Sequence, residues 1–379
     1  MHILIAPDSF KESLPALEVA KAIKRGLAKS LPQADFELFP IGDGGEGTLQ
    51  ALALGLHLEK SSQKVTGPFG QPQTVEYAYK DDLAVFEMAA VTGLETIPEE
   101  QRDPLLISNQ GIGELIVFLA QQGIKKLMIG VGGSSTNDGG IGMAAGLGYE
   151  FFDKQGKKLK AIGANLSQVA YISDCKVSPL IKDMEVTVIT DVTNFLCGPK
   201  GATYVFGPQK GLPQDSLQAA DQAMAAFYQL AAPNLLNVAG AGAGGGMAAG
   251  LVAFAGGRII SGIDAILDIL DFDQRVKNAD IVIVGEGRMD RQSLSGKAPV
   301  GLARRTPQGI PVIAICGSLS DDLPDFPTAN IQAAFPIISK VDSLENTLAD
   351  ARFNLERTAR NIGNLLSLTI KKARSCKTD

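Results

Sequence analysis

The chain has 379 residues, 45% of them hydrophobic, with 35 basic against 41 acidic side chains and a formal net charge of −6. That length supports more than one core, and the mixed charges, without a basic block or an aromatic-basic stripe, exclude an obvious nucleic-acid surface. Only two histidines and four dispersed cysteines occur, so neither a histidine-based nucleophile system, a zinc signature nor a disulfide framework is expected, and a reducing cytoplasm is the expected home.

In chain order, residues 3–6 read as a buried strand, followed by a loop with Asp8, Ser9 and Lys11 and a helix over 16–27, with Ser13 as N-cap candidate and Pro15 in its first turn. The opening residues are too soon acidic for a signal peptide. A second strand over 36–40 runs into Asp43-Gly44-Gly45-Glu46 and a helix to about residue 54. This βαβα rhythm predicts a mostly parallel sheet. Residues 75–79 and 84–88 read as a hairpin around Lys80-Asp81-Asp82, and residues 149–159 as another turning near 153–156. The rhythm returns in strands over 281–284, 312–315 and 333–336, a helix over 299–305 and one long closing helix over 344–366.

The expected fold is therefore α/β with two domains. A discontinuous doubly wound domain is formed by 1–64 and 285–379, and 65–284 is an inserted α/β domain; two consecutive domains are the alternative. The site is expected at the carboxyl ends of strands. Residues 238–257 lack charge over twenty positions but include eight glycines, so they predict a loop and a buried helix rather than a membrane span.

The densest signal is residues 132–142, Gly-Gly-Ser-Ser-Thr-Asn-Asp-Gly-Gly-Ile-Gly, between an apolar run at 127–131 and a small-residue helix pattern at 143–147. A glycine loop with hydroxyls before a helix start suits a phosphate, and Asp138 suits either a magnesium ion or a proton. A tight turn with an N-cap is the plainer reading. Asp191 ends the apolar run 186–189 beside Asn194, a position for a metal ligand, a general base or a turn cap. Residues 206–211, Phe-Gly-Pro-Gln-Lys-Gly, present Lys210, and residues 285–297 follow a buried strand with Glu286, Arg288, Asp290, Gln292, Ser293 and Lys297. Residues 240–246 satisfy Gly-x-Gly-x-x-Gly with Asp264 downstream, a dinucleotide fingerprint, but residues 232–237 make a poor preceding strand. An NAD-dependent dehydrogenase of small hydroxy acids is thus one alternative, and a non-catalytic sugar-acid or nucleotide sensor another. No Walker sequence or protein-kinase signature set is present.

The set Ala-Pro-Asp-Ser-Phe-Lys, Asp-Gly-Gly-Glu-Gly-Thr, Gly-Gly-Ser-x-Thr-Asn-Asp-Gly-Gly, Phe-Gly-Pro-Gln-Lys-Gly, Gly-Ala-Gly-x-Gly-Gly and Gly-Glu-Gly-Arg-x-Asp-x-Gln-Ser resembles the bacterial glycerate kinase type 1 family from Ile3 to beyond Gly317, in order and spacing. The resemblance implies transfer of the ATP γ-phosphoryl group to D-glycerate, most often giving 2-phosphoglycerate, with magnesium. It also implies a flavodoxin-like domain joined to a second domain of restriction-enzyme-like fold. The chain departs from the family pattern at Ser135, usually alanine, Thr190, usually cysteine, Phe195, usually proline, and Ala239, usually proline; none removes a charged group.

On that basis Gly242, Gly244 and Gly245, with Ser134, Thr136 and Asn137, are expected to cradle phosphate. Lys11, Lys210 or Lys297 would bind the glycerate carboxylate or the moving phosphate. Asp8, Ser9, Gly44, Gly45, Glu286, Arg288, Asp290, Gln292 and Ser293 complete the expected ligand-binding set. Asp43, Glu46, Asp138 and Asp191 supply magnesium ligands and the base, with Asp191 favoured as base, Asn194 its neutral partner and Asp43 next. The expected partners are the small substrate alone, without nucleic acid or membrane, on a monomer or homodimer.

Overall fold

The computed structural model of the chain describes residues 1–42, 44–45, 47–261, 263–291, 293–295 and 298–375. Fifteen strands occur in its described residues. The first six are β1 (His2–Pro7), β2 (Asp35–Leu38), β3 (Glu59–Thr66), β4 (Pro72–Lys80), β5 (Leu83–Glu87) and β6 (Lys126–Gly130). β7 (Glu150–Phe152), β8 (Tyr171–Ser173), β9 (Glu185–Thr190), β10 (Arg258–Ser261) and β11 (Ile281–Gly285) follow. β12 (Arg288–Met289), β13 (Val312–Cys316), β14 (Ser318–Leu319) and β15 (Ile331–Pro336) complete them.

The chain divides into two compact units, one of Met1–Asp43, Leu54–Leu56 and Gly262–Asp379, the other of Gly44–Ala53 and His57–Ser261. The first contains a five-stranded sheet in the order β15-β13-β11-β1-β2, parallel throughout. Counted along the five strands of this sheet alone, the spatial order is 2-1-3-4-5. Its central strands are continuous apolar runs because helices cover both faces of a parallel sheet; Ile3, Leu4, Ile5, Val282 and Ile283 are fully buried. Helix Ala16–Ser30 turns Ala16, Val19, Ala20, Ile23 and Leu27 inward at helical spacing, onto a core that includes Leu355, Ala359 and Ile362 of the closing helix.

The second unit contains a six-stranded mixed sheet, β10-β9-β6-β5-β4-β3. β5, β6, β9 and β10 run parallel, while β4 pairs antiparallel with both β3 and β5. Its separate core gathers side chains such as Phe86, Leu127, Val188, Phe227 and Leu251.

The expected hairpin around residues 80–82 is the β4–β5 pair. Several expectations differ. The boundaries expected at 64/65 and 284/285 do not coincide with the two units, because β3 pairs with β4 along its whole length and β11 pairs with β1. Ser13 does not cap the first helix: its hydroxyl donates to the Leu348 carbonyl, and Pro15 occupies the cap position. The closing helix is two helices, Leu344–Ala349 and Ala351–Ser375, the first capped by Ser343, which accepts from the Asn346 amide. The turn at residues 153–156 exists, but the strand leading into it, β7, finds its ladder in β8; the expected arms are joined by a Phe152–Lys158 bridge and by Lys158 Nζ donating to Glu150 Oε1 (2.7 Å).

Candidate active site

In the second unit the carboxyl ends of β5, β6 and β9 lie side by side, with Glu87 in register with Gly130 and Gly130 with Ile189. Onto these ends folds the chain at Gly44–Gly45. A Cβ on Gly44 would sit 2.7 Å from the Ile189 carbonyl oxygen and 2.8 Å from the Thr190 Cα, with φ at +97°, so only glycine fits. The loop is held by Gly132 N donating to the Gly44 carbonyl (2.9 Å), by Gly44 N donating to Thr48 Oγ1 (3.0 Å) and by Leu49 N donating to Glu87 Oε1 (2.7 Å). Asp191, exposed and one residue past β9, stands beside this seam. Tertiary packing thus unites Gly44 and Gly45 with Gly130, Gly132, Ile189 and Thr190. Asp43 and Glu46 lie outside the described residues. Asn194 donates its amide to the Lys200 carbonyl (2.7 Å), which closes its own loop.

Residues 134–138, which include Ser134, Thr136 and Asn137 of the expected phosphate cradle, follow β6 and are buried. Lys210 is 3% exposed and donates through Nζ to Ser134 Oγ (2.6 Å) and to the Thr136 carbonyl (2.8 Å). Asn109 donates to both Thr136 Oγ1 (2.8 Å) and Asp138 Oδ1 (2.9 Å) while accepting from Thr92 Oγ1 (2.6 Å). The Asp138 carboxylate also accepts from Gly140 N (3.0 Å) and Gly142 N (3.2 Å). Asn137 pairs with Thr203, and Ser135 donates to the Thr92 carbonyl (2.9 Å). Burial pushes the Asp138 carboxyl up, opposed by its three N–H donors and by Lys210. Burial also brings the Lys210 ammonium down to about 7, opposed by Asp138. These side chains hold one another and set the backbone course of the loop.

The 240–246 loop packs against that scaffold. A Cβ on Gly245 would overlap the Thr136 carbonyl oxygen, and Gly139 N donates to the Gly245 carbonyl (3.0 Å). The Gly242 amide, expected to face a phosphate, donates to the Asn194 carbonyl (3.0 Å). No strand precedes this loop: residues Pro233–Asn237 form a 3-10 turn, so the dinucleotide fingerprint lacks its required context. Asp264 lies in helix Ile263–Ile269 of the other unit.

The first unit has its own set of carboxyl-end loops. Asp8 N donates to the Gly285 carbonyl (2.8 Å), which joins the ends of β1 and β11, and Gly287 lies against the backbone of Phe10 and Lys11. Ser9 is half-buried, its amide donating to Asp8 Oδ1 (2.6 Å); Lys11 and Arg288 are exposed. Asp290 and Ser293 cap each other, Ser293 N donating to Asp290 Oδ1 (3.0 Å) and Asp290 N to Ser293 Oγ (3.2 Å). Glu286 is buried beside Cys316, whose thiol burial pushes up to about 12. Gln292 and Lys297 lie outside the described residues.

Asn109, Thr92 and Glu87 were not singled out in the sequence. Glu87 carried a usable signal, an acid closing the apolar run at 84–86, the same pattern that marks Asp191. Asn109 carried none, because its partners are 17 to 29 residues away.

Parallel sheets whose end loops bring carboxylates, amides and lysines together, with no histidine in those loops, define an α/β enzyme of the phosphotransferase kind rather than one built on a histidine base. Residues 3–367 match the model of the glycerate kinase family. The chain belongs to that family. It is 53% identical over 368 residues to a glycerate kinase of Neisseria meningitidis, covering 97% of this chain and 99% of that one. It is 38% identical to the glycerate 2-kinase of Escherichia coli K12, over 98% and 100% of the two chains. A crystal structure from Salmonella typhimurium LT2, described as a glycerate kinase 2, superposes with a TM-score of 0.84 at 39% identity, covering 98% of this chain and 99% of that one.

Proposed function

We propose that this protein is a glycerate kinase that transfers the γ-phosphoryl group of ATP to a hydroxyl of D-glycerate, with 2-phosphoglycerate the favoured product. The observation that carries the reading is the 53% identity to a glycerate kinase along essentially the whole of both chains. The 38% identical Escherichia coli relative, a glycerate 2-kinase, supports attachment at carbon 2.

In this reaction the substrate hydroxyl oxygen bonds to the γ-phosphorus as the bond to the β–γ bridging oxygen breaks, and ADP leaves. The hydroxyl proton passes to a carboxylate, and Asp191 is the residue proposed for it: exposed, at the end of a buried strand, and beside the Gly44–Gly45 seam. Lys11 and Arg288, exposed at the loop ends of the first unit, are proposed to meet anionic groups of the ligands, with Ser9 as hydrogen-bond donor. Ser134, Thr136, Asn137, Asp138 and Lys210 take a supporting part, since their polar groups are already engaged with protein.

Magnesium demands oxygen ligands and is commonly held by one or two carboxylates together with substrate phosphates. Asp191 fits that donor set, whereas Asp138 does not, being fully buried with both oxygens accepting N–H bonds. When bound, the ion would neutralise charge developing on the phosphoryl oxygens. Chelation with EDTA should abolish turnover and excess magnesium should restore it; undiminished turnover in EDTA would remove the metal from the reaction.

The 2-1-3-4-5 strand order supports a flavodoxin-like first domain, with an inserted second α/β domain. Phosphorus NMR of the protein with magnesium-ATP and D-glycerate tests the activity. A phosphomonoester growing with ADP, proton-coupled as at carbon 2, is expected; intact ATP with no new ester would overturn the reading in favour of a binding protein.

A further inference from the structure

Three neighbouring strands end within one residue of the same level in the second unit, Glu87 in register with Gly130 and Gly130 with Ile189, one residue before the end of β9 at Thr190, and the middle strand ends without a side chain. A Cβ on Gly130 would approach the Gly44 carbonyl oxygen to 2.9 Å and Glu87 Cγ to 3.5 Å. The bare position therefore makes room for Gly44 and Gly45 to lie on the sheet ends with Glu87 at their flank. Glu87 reaches that segment through Oε1, which accepts from the Leu49 amide at 2.7 Å. Leu49 is the second residue of helix Thr48–Gly55, where backbone N–H groups lack partners inside the helix. An acceptor here pins the helix start, and through Thr48 Oγ1, which accepts from Gly44 N, it pins the turn leading to it.

We propose that Glu87 is a positioning residue for phosphoryl transfer: by accepting the Leu49 N–H it locks the Gly44–Thr48 turn across the ends of β6 and β9, beside Asp191. It acts as a hydrogen-bond acceptor, and its negative charge is not what the reaction uses. The inference rests on the glycerate kinase reading, because its readout is turnover.

Glutamine keeps an acceptor oxygen at the same reach and removes the charge; alanine removes both. Wild type, Glu87→Gln and Glu87→Ala would be assayed with magnesium-ATP and D-glycerate, with folding checked by tyrosine near-ultraviolet circular dichroism. Loss of the hydrogen bond that positions the turn predicts a fall in kcat/KM of about 10- to 100-fold for Glu87→Ala. Glu87→Gln should retain kcat/KM to within about fivefold, with a pH–rate profile superimposable on wild type. An active wild type with Glu87→Ala within twofold of it overturns the proposal. So does Glu87→Gln as impaired as Glu87→Ala, which would place the charge itself in contact with ligand or metal. A wild type that makes no phosphoglycerate instead overturns the kinase reading. If Glu87→Ala does not fold, hydrogen exchange decides: the 44–55 amides should be as protected in Glu87→Gln as in wild type, and faster exchange there overturns the proposal.

Discussion

At the scale of single residues, the same type of side chain serves opposite ends in this protein according to its burial. Asp191 and Asp138 both follow apolar strands and both sit among glycines and amides. One is exposed; the other is fully buried, accepting from Asn109, Gly140 and Gly142. Asp191→Asn should therefore lower kcat by orders of magnitude, at least about 100-fold, while leaving nucleotide affinity nearly unchanged. Turnover within tenfold of wild type would remove Asp191 from the role of base. Lys210 allows a sharper test because burial brings its ammonium down to about 7. Its unfolded value lies near 10.4, so between those values the unfolded chain holds a proton that the native protein has shed. Stability then rises with pH from about 7 upward as that difference builds, and protonating the buried amine costs stability below it. The melting temperature of wild type should climb between pH 7 and 8, and Lys210→Met should flatten that slope. An equal slope in both would show that Lys210 is not the group responsible.

At the scale of elements, glycine loops here are as much packing surfaces as ligand loops. Gly245 has φ at +68° and no room for a Cβ against Thr136, while Gly156, with φ at +77°, has nothing within 4 Å of where its Cβ would lie. Both substitutions to alanine bear the cost of a left-handed conformation, about 1 kcal/mol. Only Gly245→Ala must also displace a backbone carbonyl, so it should cost about 3 kcal/mol or more in urea unfolding, against about 1 kcal/mol for Gly156→Ala. Similar losses in the two would mean that the 240–246 and 134–138 loops are not rigidly stacked. The strands and most helices were legible in the sequence because apolar runs and 3.6-residue spacing are local. The break at Asp350 was not, since both halves keep apolar spacing across it. Nor was the partner of β7, since the turn at 153–156 offers a nearer arm than the strand it actually joins, β8.

At the scale of the whole molecule, each unit has a core of its own, one with Ile3, Ile23, Ile283 and Leu355, the other with Phe86, Leu127 and Leu251. Leu355 is fully buried in the closing helix. Leu355→Ala should cost about 2–5 kcal/mol, and hydrogen exchange should quicken in β1, β11 and the helix Ala16–Ser30 while β6 and β9 keep their protection. Uniform loosening of both sheets would show that the two cores melt as one.

From the sequence alone came the α/β class, the return of the βαβ rhythm at the end of the chain, the short list of loops able to do chemistry and the family resemblance. Each depends on residues that are near neighbours or on motifs in a fixed order. The tertiary structure alone decided which of those loops meet and which of their polar groups are already spent. It closed Lys210 and Asp138 into a buried scaffold, set glycines of one loop against the backbone of another, and brought Glu87 to Leu49 from 38 residues away. Burial and hydrogen-bond partnership are set by contacts between distant segments, and periodicity along a chain contains no record of which segments those will be.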